Sequence, residues 1–174
     1  VRYQDMNLKA LTTNLPPLKA DKVSPSAAIV VKPFGEETSF YVSYVEGLVR
    51  GAKVSNEADA NYSKTFAPFE SKQYEVGAKY QGDRWLHTLA LYQIKKPSTM
   101  IDTSYRDPNN KAITQITTDG AKTESKGVEY GFSGKVTDDL IVYGNLAYID
   151  TEYKKGISGG VNLSGKTIEG TPEF

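Results

Sequence analysis

The chain has 174 residues, in which 21 acidic and 21 basic side chains cancel, with one histidine and no cysteine. That balance leaves no whole-chain field for nucleic acid or an anionic surface, and the missing cysteine removes disulfides, thiol catalysis and thiolate metal sites. The longest apolar run, Ala27 to Val31, is far too short for a spanning helix of about 20 residues, yet a mean hydropathy of −0.47 does not exclude barrel strands, which hide half their side chains in a wet lumen.

Alternation of apolar and polar residues predicts a first strand near residues 1–8. A polar stretch over 9–23 leads to a strand near 24–32, which turns at 33–37 into a strand near 38–48. A long loop over 49–70 precedes strands near 71–81 and 85–95, joined at Gly82-Asp83. After a loop over 96–125 come strands near 126–136 and 140–153, joined at 137–139. Residues 154–167 read as a last loop before a strand from about 168 onward. The turns carry Gly and Asp, where positive φ or side-chain capping is useful. The fold class is therefore all-β, an antiparallel meander of about eight strands.

Short turns on one side and long polar loops on the other fit a transmembrane β-barrel, with the turns periplasmic and the loops extracellular. The faces divide accordingly. Val128, Tyr130, Phe132 and Val136 fall on one side of their strand, and Glu129, Gly131, Ser133 and Lys135 on the other. Tyr74, Val76, Ala78 and Tyr80 oppose Gln73, Glu75, Gly77 and Lys79, and Phe40, Val42 and Tyr44 are expected to face outward. The segment 85–94 is apolar on both sides and gives no orientation. Twelve tyrosines suit a membrane interface. A soluble antiparallel sandwich would show similar alternation, but loops beyond about 12–15 residues are uncommon in compact domains. The start, Val1-Arg2-Tyr3-Gln4, lacks the basic and apolar stretches of a secretory signal, so an exported protein is expected as a mature chain or a fragment.

Several motifs point elsewhere and carry little. Gly160 to Thr167 matches the phosphate-loop pattern, but Gly170 and Pro172 follow too soon for the helix that motif requires. Asn61-Tyr62-Ser63 and Asn162-Leu163-Ser164 fit a glycosylation sequon that has no meaning in a bacterial protein. Asp107-Pro108-Asn109-Asn110 reads as an exposed turn, without the Gly and terminal Glu of a calcium loop. His87 has no partner nearby in sequence and reads as a packed or interfacial histidine. One histidine supports no Ser-His-Asp set, and Asp138-Asp139 falls in a predicted turn, so neither an enzyme nor a metal site is expected.

The stretch Tyr41-Val42-Ser43-Tyr44-Val45-Glu46-Gly47, followed after a polar loop by residues 69–80, Phe-Glu-Ser-Lys-Gln-Tyr-Glu-Val-Gly-Ala-Lys-Tyr, resembles the barrel of TonB-dependent siderophore receptors. Further matches follow in order at 90–96, 126–129, 143–153 and 165–173, covering most of 24–174. The resemblance implies that residues 1–174 are a mid-barrel fragment of a 22-stranded barrel, with the plug domain and the TonB-contacting segment absent. It implies a bacterial outer-membrane receptor that takes up ferric siderophores with TonB-supplied energy, with outer-membrane lipid around it and no cofactor beyond that ligand. An aromatic and cationic set on the predicted outer loops, Arg50, Lys53, Tyr62, Lys64, Tyr105 and Arg106, suits a compact anionic chelate by stacking and charge. The alternatives are a complete small eight-stranded barrel with a structural or adhesive role, and a soluble β-sandwich binding module. An excised open sheet, with two unpaired edges, is expected to self-associate.

Overall fold

The computed structural model describes residues 1–8, 18–168 and 170. Among the described residues there are ten strands and no helix. They are β1 (Arg2–Leu8), β2 (Leu18–Ser24), β3 (Ser26–Val31), β4 (Thr38–Val49), β5 (Phe69–Gln81), β6 (Trp85–Asp102), β7 (Ile116–Lys135), β8 (Ile141–Lys155), β9 (Ile157–Ser158) and β10 (Val161–Asn162). Strands β3 to β8 form one antiparallel meander in sequence order, while β1–β2 and β9–β10 are separate hairpins. The connections at 32–37, 82–84 and 136–140 are short and share one end of the sheet. Those at 50–68 and 103–115 are long and share the other, as the sequence predicts.

The register sorts side chains onto two faces, because directly paired residues point the same way. On one face Ile29, Val42, Val76, Leu91, Val128 and Tyr148 form a continuous row across all six strands. The next row towards the short turns is Val31, Phe40, Ala78, Leu89, Tyr130 and Leu146. This settles the orientation of β6, which alternation alone does not give. Ile29 (66% exposed), Leu91 (51%) and Leu146 (68%) remain open to the surroundings. From Trp85 to Gln93, β6 rises about 27 Å at ~3.4 Å per residue, or roughly 20 Å once tilted by about 40°, close to the ~25 Å apolar band of an outer-membrane barrel. The opposite face carries Glu75, Lys79, Thr88, Glu129 and Asn145, the chemistry of a wet interior.

A one-layer sheet has no core of its own. Among the described residues the buried apolar side chains are Val54, Phe66 and Ala121, all at the long-loop end.

Three boundaries differ from the sequence reading. The predicted loop 96–125 is mostly strand, since β6 continues to Asp102 and β7 begins at Ile116. Pro97 pairs with Lys122, and a bulge between Ser98 and Thr99 leaves Gly120 unpaired at φ +102°. That conformation favours glycine and lets the ladder resume beyond the irregularity. The predicted strand 24–32 breaks at Pro25, whose missing N–H separates β2 from β3. Part of the predicted loop 9–23 belongs to β2, which pairs with β1, and residues 9–17 lie outside the described residues. So does most of the predicted strand from 168 onward: residues 169 and 171–174.

On the polar face Tyr92 lies across Gly127, where a Cβ would fall 2.5 Å from the Tyr92 hydroxyl and 2.8 Å from the Tyr148 carbonyl oxygen. The ring can swing aside, but the carbonyl is fixed in the β7–β8 ladder. Gly127→Ala is expected to destabilise the folded sheet by about 1–3 kcal/mol, the usual range for overpacking, read as a lower urea midpoint in detergent.

Candidate ligand-binding surface

The long-loop rim is built on the ends of β4 to β8. Beyond β4, residues 50–68 fold back on themselves: Val54 N–H donates to Lys64 O (2.9 Å), Ser63 N–H to Val54 O (2.9 Å) and Phe66 N–H to Ala52 O (3.0 Å). Val54 and Phe66 bury their side chains at the base of this fold. Ser63, which closes the turn over 60–63, has φ +67°.

Asp59 is the hub of the rim and is 1% exposed. Its Oδ1 accepts from Asn61 N–H (2.8 Å) and Thr117 N–H (3.0 Å), and its Oδ2 from Thr117 Oγ1 (2.6 Å) and Gln115 Nε2 (2.9 Å). Ala60 N–H donates to Gln115 O and Thr114 N–H to Ala58 O, both at 2.9 Å, and Asn61 Nδ2 to Thr117 O at 2.7 Å. Burial alone would raise the Asp59 pKa, but the bonds from Thr117, Gln115 and Asn61 outweigh it and hold it below its ordinary value of 3.8.

The second loop, 103–115, is shaped by its own polar groups. Asp102 accepts from Ser104 N–H (2.9 Å) and Oγ (2.6 Å). Asp107 Oδ1 accepts from Asn109 N–H (2.8 Å) and Asn110 N–H (3.0 Å), which makes Asp107 to Asn110 a side-chain-capped turn.

All six residues singled out from sequence lie at this rim. Arg50 and Lys53 are exposed, and Lys53 bridges Thr65 through its backbone. Tyr62 is exposed, its hydroxyl 3.4 Å from Glu57 Oε1. Lys64 holds its ammonium 4.8 Å from the Phe66 ring centroid. Tyr105 is half-buried, and desolvation, helped by Asp107 at 3.4 Å, raises its pKa. Arg106 is exposed, with Nη1 within 2.9 Å of the carbonyls of Thr103, Tyr105 and Thr114. The bond to Thr114 joins Arg106 to the segment that Asp59 grips, so the structure links Tyr62 and Lys64 to Tyr105 and Arg106 through 58–61 and 114–117. Sequence reasoning missed Asp59; the one local sign of it is the Asp-x-Asn spacing of an Asx turn.

Elsewhere the functional chemistry is sparse. On the polar face Tyr41 Oη donates to Glu75 Oε1 (2.6 Å) and Gln73 Nε2 to Glu75 Oε2 (3.0 Å). His87 lies on the apolar face with Nδ1 2.8 Å from Tyr130 Oη, stacked near Trp85 and Tyr80, as an interfacial histidine should be. Among the described residues no group of His, Asp and Glu is placed to hold a metal. Residues 160–167 form β10 and a turn, with Thr167 bridging Glu152 and no helix to complete a phosphate loop. A shallow depression of about 880 Å³ has Ile29, Val42, Val76, Leu91, Val128 and Tyr148 in its lining. That lining is the lipid-compatible face rather than a polar recognition site.

The family model described as TonB dependent receptor-like, beta-barrel matches residues 1–174. The ferrichrome receptor FcuA of Yersinia enterocolitica is 30% identical over 127 residues, 65% of this chain and 17% of its own length. The ferrioxamine receptor of the same organism is 28% identical over 163 residues, 91% of this chain and 21% of its own. The crystal structure of BauA, the ferric preacinetobactin receptor of Acinetobacter baumannii, superposes with a TM-score of 0.67 at 25% identity, over 88% of this chain and 22% of that one. Pseudomonas aeruginosa FpvA shares the fold, with a TM-score of 0.69 at 22% identity. The chain thus spans about a fifth of the length of these relatives.

Because the Asp59 pKa is depressed, its contribution to loop docking is complete above the ordinary carboxylate value and is lost only as pH falls through the lower folded-state value. Amide-exchange protection at Thr117, corrected for intrinsic rates, should stay flat from about pH 8 to about pH 5 and collapse only in stronger acid.

Proposed function

The chain belongs to the TonB-dependent receptor β-barrel family of bacterial outer-membrane proteins, and on that premise we propose that residues 1–174 form one section of a larger closed barrel that takes up ferric siderophores. The observation that carries this reading is a two-faced sheet whose long-loop end bears aromatic and cationic side chains on interlocked loops. The intact protein would bind the chelate at that rim and pass it inward along the polar face, using energy that TonB delivers from the inner membrane. The relatives are receptors for ferrichrome and ferrioxamine, which supports the ligand class.

Each part of the rim has a task on this reading. Tyr62 and Tyr105 offer ring faces to the organic part of the chelate, and Arg50, Lys53 and Lys64 offer charge to its anionic groups. The Arg106 guanidinium, already bonded to three carbonyls, contributes mainly by shaping the loop that carries Tyr105. Strands β3 and β8 lie at opposite edges of the sheet, with β8 bridged on its outer side at Glu152 by Thr167. Neighbouring strands of the same barrel would cover those edges, and the sheet alone would self-associate through them. A small eight-stranded barrel is not favoured, since its edges would have to meet and these do not.

The test is iron-limited growth of a strain in which this receptor supplies the sole uptake route, together with titration of the purified receptor with ferrichrome and ferrioxamine. Growth that no ferric chelate restores, with no saturable binding, overturns the proposal. Tyr62→Ala or Tyr105→Ala should weaken chelate binding by about 5- to 30-fold, on the order of 1–2 kcal/mol for a buried aromatic contact.

A further inference from the structure

We propose that Asp59 is a positioning residue that makes the two outer loops, 50–68 and 103–115, move as one unit. Its importance for ligand rests on the ferric-chelate reading above, but the coupling itself does not. Of the four hydrogen bonds its carboxylate accepts, one comes from its own loop, at Asn61, and three come from Gln115 and Thr117. A carboxylate that served only a local turn would be satisfied by its own neighbours and would stand in water. This one is the largest fully buried side chain among the described residues, and its bonds cross from the first loop to Gln115 at the end of the second and to Thr117 at the start of β7, on a different hairpin.

The strand order explains why a clasp is needed. The β4–β5 and β6–β7 loops stand side by side on the same rim above the β5–β6 pairing, and the bonds Ala60–Gln115, Thr114–Ala58 and Asn61–Thr117 that also cross between them flank Asp59. Without a cross-link each would open independently, and Tyr62 and Tyr105 would sample unrelated positions. The clasp removes that freedom before ligand arrives, so less order has to be created on binding. Asp59 is itself too buried to touch a chelate. Its effect passes through Thr117 and Gln115, and through the bond from Arg106 to Thr114.

Hydrogen exchange on the full-length receptor in detergent decides the coupling. In Asp59→Ala, residues 56–61 and 114–117 should exchange together, at least about tenfold faster, because a buried charged acceptor with several donors has been removed. Strand segments 38–49 and 85–95 should be unchanged, which shows that the sheet is still folded. Asp59→Asn keeps the shape and one accepting oxygen, so it should restore part of the protection in both segments at once. Loosening of 56–61 with 114–117 still protected overturns the proposal.

Titration with ferrichrome and ferrioxamine then tests positioning. Asp59→Ala should weaken binding by about tenfold, and Tyr105→Ala should have a smaller effect in that background than in the native receptor, since the two act along one path. Both loops loosened with affinity unchanged, or fully additive effects, would refute the positioning role. If the native receptor binds neither chelate, the ferric-chelate reading fails and the exchange result alone judges the coupling.

Discussion

The in-register backbone ladder from β3 to β8 decides, through its period of two, which side chains meet lipid and which meet water. Six strands paired without a slip below the irregularities at Ser98–Thr99 and Lys122–Thr123 keep Ile29, Val42, Val76, Leu91, Val128 and Tyr148 in a single row. A shift of one residue in any pairing would turn over every strand beyond it, and one between β4 and β5 would carry Glu75 and Glu129 onto the apolar side. Since the layer buries almost nothing itself, its stability comes from saturated backbone hydrogen bonds and from surroundings that match each face.

Where one face meets lipid and the other water, the sequence could be read directly. The strands near 38–48, 71–81 and 140–153, the short turns at 33–37, 82–83 and 137–139, and the outward placement of Phe40, Val42, Tyr44, Tyr74 and Val76 all follow from the sequence. Above the apolar band both faces are wet, and alternation disappears. Hence Lys96-Pro97-Ser98-Thr99 and Thr117-Thr118-Asp119 read as loop although they are paired strand, with Gly120 bulged between Asp119 and Ala121. Proline and glycine there mark a bulge rather than an end. At Pro25 the same kind of signal does mark a break, and only the pairing partners distinguish the two.

The rim shows the same limit at the level of single residues. Tyr62, Lys64, Tyr105 and Arg106 could be chosen by residue type, because chelate chemistry asks for rings and cations. Their grouping could not, because it depends on Asp59 meeting Thr117 across 58 positions of sequence. A buried carboxylate with neutral partners leaves no charge pattern to find. The three carbonyls around Arg106 likewise turn an apparently free cation into part of the loop's framework.

Near the short turns Trp85, His87, Tyr130 and Phe132 stack at centroid separations of 6.0 to 6.1 Å, while at the other end Glu46, Lys72, Lys95, Glu124 and Glu152 lie in one charged row. Lys126 and Lys154 reach Glu124 at 2.9 and 3.3 Å, so this row is cross-braced. Rings prefer the boundary of the bilayer and ions refuse its interior. Together the two rows act as stops on vertical travel: the sheet can neither sink until ions enter hydrocarbon nor rise until rings leave it. The rim therefore stands at a fixed height above the headgroups, and a solute diffusing along the cell surface meets Tyr62 and Tyr105 at a constant elevation.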